Sequence, residues 1–76
     1  MTPEQRGERA RLLLDDDLLK DAFALIEADC VVQWKGTAPA NVAGREKLWQ
    51  QLKAIEAVKA KLQQAIADGK IAKASR

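Results

Sequence analysis

Residues 15–17 are three consecutive aspartates, set between leucine-rich runs in "LLLDDDLLKDAF" at positions 12–23. Carboxylates this close together could hold a divalent cation or supply a pair for acid–base chemistry. A calcium loop of the EF-hand kind, however, needs oxygen ligands at alternate positions, a central glycine and a closing glutamate. Asp15 and Asp17 alternate, but Leu18 and Leu19 take the next positions and no glycine follows. The same residue type suits a structural role. An N-cap aspartate accepts the orphan N–H groups of a starting helix, and its charge complements the positive end of the helix dipole. The triplet is read as punctuation, with Asp15 or Asp16 capping the helix that follows.

Other chemistry-bearing residues are sparse. Cys30 falls on an apolar stripe, and a nucleophilic cysteine needs a neighbouring base, most often histidine, which this chain lacks. The same absence excludes Ser–His and Cys–His sites and leaves a structural zinc ion without ligands. Gly36, Gly44 and Gly69 are spread over expected caps and turns, so there is no phosphate-cradling loop. The reading is of a non-enzymatic protein with no catalytic, cofactor-binding or metal-binding residues.

The elements that carry these residues are helical. Thr2, Pro3 and Gln5 make a helix start in which Gln5 closes a capping box onto Thr2. Leu19, Ala22, Phe23, Ile26, Cys30 and Trp34 recur at spacings of three and four, and Leu18, Leu25 and Val32 are read as widening that stripe. Gly36 is placed as the residue after this helix, and Pro39 bars continuation through the loop. Asn41 caps a last helix, along which Leu48, Leu52, Ile55, Leu62 and Ile66 recur with near-heptad spacing, Lys59 taking one seam position. Gly69 is read as its stop, with Ile71 folding back on it. The expected organisation is a single domain over 1–76. It has helices at about 3–14, 17–35 and 42–68, a loop at 36–41 and a basic, frayed tail at 70–76. The fold class is all-α, a long antiparallel helical hairpin preceded by a short N-terminal helix. Whether the first helix runs on into the second or packs on the hairpin stays open at this stage.

The chain is short for a self-sufficient core. A domain of 76 residues buries only about 60% of the surface its unfolded form exposes. Small domains compensate with disulfides, a metal or oligomerisation. One cysteine and no histidine leave the last of these, so the seam of Leu48, Trp49, Leu52, Ile55, Leu62 and Ile66 is the expected partner or oligomer interface. Trp34 and Trp49 both lie near the turn, where antiparallel arms would bring them together as a clamp. A charged N-terminus without an apolar core, and apolar runs far short of the ~20 residues that span a bilayer, predict an intracellular protein with no membrane association.

Charge is unevenly distributed. Residues 1–41 carry five basic and eight acidic side chains, and residues 42–76 carry eight basic and three acidic. Lys53, Lys59, Lys61, Lys70 and Lys73 are therefore candidate nucleic-acid contacts, because phosphate attraction asks only for clustered cations. Opposite halves that fold together would also attract each other.

The stretches "RGERARLLLDDDLLKDAFALIEADCVVQW" and "GREKLWQQLKAIEAVKAKLQQAIADGKIA" cover nearly the whole chain. In their arginine–alanine–leucine–aspartate start, closing aromatic, Arg45–Glu46–Leu48 opening and Gly69–Lys70 end, they resemble a group of small uncharacterised helical proteins. These are encoded in tailed-bacteriophage genomes near virion assembly genes. The chain departs from that pattern at Asp17, where a proline is common. The resemblance implies a phage protein in the host cytoplasm during infection, or in the virion. It would act by protein–protein interaction, with copies of itself or with other phage structural proteins, in virion assembly or as a small virion-associated component. The alternatives are a nucleic-acid-associated packaging or regulatory factor using the basic second half, and an inhibitor of a host enzyme.

Overall fold

The computed structural model describes residues 1–75, so Arg76 of the expected basic tail lies outside the described residues. The chain is all-α: α1 spans Pro3–Asp15, α2 Asp17–Gly36 and α3 Val42–Ala74. The first and last helices start at their expected caps. The Thr2 hydroxyl accepts the Gln5 N–H at 3.2 Å while the Gln5 side chain accepts the Thr2 N–H at 2.9 Å, satisfying two orphan donors reciprocally. Asn41 Oδ1 accepts the Gly44 N–H at 3.0 Å at the head of α3.

The aspartate triplet separates two helices by a single residue. Asp16 has extended backbone (φ −68°, ψ 122°), and its Oδ1 accepts the Leu19 N–H at 2.8 Å. Asp15 ends α1, where it receives a hydrogen bond from Arg11, and Asp17 opens α2. The break therefore forms without a proline. It also settles the question the sequence leaves open: α1 is a separate helix, and it packs on α3.

Two helix ends differ from expectation. Gly36 is the last residue of α2, not the one beyond it, and no glycine among the described residues has positive φ. Thr37 caps instead, its hydroxyl donating to the Gln33 carbonyl at 2.6 Å and its N–H to Trp34 O at 3.2 Å. A side-chain donor meets the orphan carbonyls, so a left-handed residue is not required. The second difference is larger. α3 does not stop at Asp68–Gly69 but continues to Ala74, leaving Ile71 exposed.

The reason lies in what Gly69 touches. A Cβ added there would sit 3.0 Å from the Pro3 carbonyl oxygen and 3.2 Å from Gly7 Cα. One added at Gly7 would sit 2.9 Å from the Ala65 carbonyl oxygen. The two glycines are where α1 and α3 approach backbone to backbone, so Gly69 serves a helix crossing and the last turns of α3 are held by α1. The helix cost of glycine, about 1 kcal/mol at each position, is offset by that contact.

From the crossing, contacts step along the chain in opposed order. Gly7 meets Gly69, Glu27 meets Lys59, Cys30 meets Gln51, and Trp34 meets Arg45. α1 thus lies on the C-terminal half of α3 and α2 on its N-terminal half. The molecule is elongated, 56 × 22 × 16 Å, close to the ~50 Å length of α3 alone. Its core is thin. Among the described residues the buried apolar side chains are Ala10, Cys30 and Leu48.

Candidate partner-binding surface

α2 presents two apolar faces. Its inner face carries Leu19, Phe23 and Cys30 toward α3, where the Cys30 thiol donates to Gln51 Oε1 at 3.5 Å. Leu18, Leu25 and Val32, read in sequence as part of the same stripe, instead lie on the outside, 79%, 66% and 68% exposed. Residues seven apart fall nearly two turns apart on one line of a helix, so these three make a single row. An outer apolar row on a helix whose inner face is already in use has no neighbour within this chain.

The α3 seam faces the chain's own arms. Leu48 is buried, and Leu52, Ile55, Leu62 and Ile66 are half-buried, with Lys59 half-buried among them. A Cβ on Gly7 would lie 3.5 Å from Ile66 Cα, which places the far end of the seam against α1. Trp49 departs from the seam and is 55% exposed. The row formed by Leu18, Leu25 and Val32 was legible as an exact seven-residue spacing, offset from the stripe of Leu19, Ile26 and Cys30.

The tip of the molecule is a second apolar surface. Trp34, Pro39, Val42, Arg45, Glu46 and Trp49 line a shallow groove there. The tryptophans do share one end, as their positions predict, yet each ring is covered by a cation. The Arg45 guanidinium lies 4.0 Å from the Trp34 ring centre, and Lys53 Nζ lies 5.3 Å from that of Trp49. Such contacts are attractive at each ring face, and both tryptophans stay partly exposed.

The candidate nucleic-acid lysines are not gathered on one surface. Lys59 is bound to Glu27 at 2.6 Å and sits over the Phe23 ring, and Lys53 pairs with Glu56 at 3.1 Å. Lys61 lies in a groove with Arg6 and Asp68, whereas Lys70 and Lys73 line another with Glu4, Glu8 and Arg11. There Glu8 is held below the usual carboxylate range, first by its hydrogen bond from Arg11, with weaker help from the charges of Arg11 and Lys73. Arg11 is raised in turn by Glu8. Of these cations Lys59 is paired with an acid of the first half, Lys53 with one of its own helix, and Lys73 acts on Glu8 through its charge.

Asp15, Asp16 and Asp17 are spent on Arg11, on the Leu19 N–H and on the first turn of α2 respectively. Among the described residues no group of three or more carboxylate or thiol side chains is arranged to hold a metal ion. No helix among them is long and apolar enough to cross a membrane. Comparison with family models, curated proteins and solved structures finds no match.

The surface left over is large. The chain exposes 5880 Å², whereas a compact monomer of 8.4 kDa exposes about 4,600 Å². The surplus of roughly 1,300 Å² follows from the elongated shape, 56 × 22 × 16 Å, and is spread over polar and apolar surface alike.

Proposed function

We propose that this protein is an antiparallel helical hairpin with a broken first arm that acts without catalysis, by burying the outer face of α2 in another protein. The setting is the one the sequence resemblance implies, virion assembly or a small virion-associated component of a tailed phage. The observation that carries the reading is the row of Leu18, Leu25 and Val32, the most exposed large apolar side chains of α2. These residues contribute little to the fold of the single chain, and burying them is worth about 1.5–3 kcal/mol each. Binding nucleic acid through the basic half draws less support, because Lys53 and Lys59 are already paired within the chain.

The test is a pair of titrations with the purified chain. One uses fluorescent DNA at low and moderate salt, the other the structural proteins of a virion. A saturable protein complex that is lost on Leu25→Asp, with DNA binding weak and nonspecific, is expected. DNA affinity that falls steeply with salt and disappears in Lys61→Glu/Lys73→Glu would overturn the reading.

A further inference from the structure

The outer face of α2 has more order than an apolar patch requires. Leu18, Asp21, Leu25, Ala28, Val32 and Lys35 follow one another at alternating spacings of three and four, and all six are exposed. In a helix this is the seam spacing of a two-helix coil, with the apolar Leu18, Leu25 and Val32 in one set of positions and Asp21, Ala28 and Lys35 in the other. The second set has a direction. It begins with an acid, ends with a base and holds the smallest side chain midway between them.

We infer that this face is a self-association surface, on which a second copy of the chain lays its own α2 antiparallel about a two-fold axis at Ala28. This deepens the proposed function, and rests on it, by naming the partner. Three observations favour a second copy over a different protein. Asp21 and Lys35 are equally far from Ala28 along the sequence, seven residues on either side. An antiparallel copy therefore sets Asp21 opposite the other Lys35 twice over, whereas a parallel copy would set like against like. Among the described residues neither side chain has an intrachain ion pair, unlike Glu27, Lys53, Glu56 and Lys59. The arrangement is also self-complementary in shape: Ala28 on the axis permits close helix approach, and Leu25 of each chain falls beside Val32 of the other. The seam of Leu48, Leu52, Ile55, Leu62 and Ile66 stays inside each hairpin, so association requires no opening of the fold.

Charge exchange tests direction as well as contact. Solution mass is measured by sedimentation equilibrium over a dilution series for the full chain and four variants, with helix content followed by circular dichroism. The wild type is expected to be a dimer. Leu25→Glu should weaken it about a hundredfold with helix content unchanged, since Leu25 is exposed within the chain. Asp21→Lys and Lys35→Glu should each weaken it, by about tenfold, because two opposite-charge contacts become like-charge contacts. Combined in one chain, those two exchanges should restore wild-type association. A dimer indifferent to Leu25→Glu, or single exchanges without effect, would overturn the inference. So would a wild type that is monomeric at millimolar concentration. If that monomer still binds a virion protein through Leu25, the second copy is wrong and the proposed function stands; if it binds neither, both fall.

Discussion

α3 meets its two neighbours in different ways. Toward its C-terminus it touches α1 through Gly7 and Gly69, backbones in contact and Ala10 buried beside them. Toward its N-terminus it meets α2 through larger groups, Cys30, Leu48 and the Glu27–Lys59 pair, and α2 keeps a second apolar face in solvent. The first contact is specified by small residues that bring the two backbones together. The second uses half of an over-apolar helix. A short chain can thus close one end tightly and leave the other built for a partner, with the single residue Asp16 dividing the two regimes.

The comparison breaks most readily at the glycines. Gly7→Ala and Gly69→Ala force a methyl against backbone rather than against a movable side chain, and each should cost about 1–3 kcal/mol in chemical denaturation. This reverses the usual gain from replacing a helical glycine. Loss of less than that would mean the crossing is looser than its distances. In the other arm, Leu48→Ala should cost about 2 kcal/mol, at the low end for a buried leucine because the cavity opens to solvent. A cost near 5 kcal/mol would make the α2 arm as tightly closed as the crossing and remove the contrast.

Smaller effects sharpen it. Asp16→Ala removes the cap that separates the regimes and should cost about 1 kcal/mol, with the first turn of α2 fraying by amide exchange. Gly36→Ala meets open space at a helical backbone, so thermal unfolding should show a gain of about 0.5 kcal/mol. The same substitution therefore changes sign between Gly7 and Gly36. The smallest effect concerns Glu8, whose carboxyl is lowered chiefly by the hydrogen bond from Arg11. A group lowered in the folded state adds stability above its unfolded value and loses it as pH falls through the folded one. Wild type should exceed Glu8→Gln slightly at neutral pH and converge with it in acid, as read from parallel melting curves.

The all-α class and the helix starts at Thr2, Asp16 and Asn41 were legible in sequence because capping is local chemistry, written in one or two side chains. The ends were less so. Gly36 and Gly69 carry the same residue type as a left-handed cap, and nothing near them in sequence tells a cap from a crossing. Gly69 serves Gly7, sixty-two positions away. The outer row was likewise present as spacing but was merged with the inner stripe, since apolar positions on both faces of α2 blur its periodicity. The lysines show the same limit from the side of charge. Lys59 reads both as a seam position and as a candidate phosphate contact, and it lies against Glu27 and Phe23.

The central claim is that α2 is the incomplete part of the fold and that another α2 completes it. Amide hydrogen exchange of the wild-type chain, followed across a range of protein concentrations, tests this most directly. Protection of residues 17–36 should rise with concentration while that of residues 3–15 and the last turns of α3 stays constant. Protection of α2 that is high and independent of concentration, or that rises uniformly along all three helices, would contradict it.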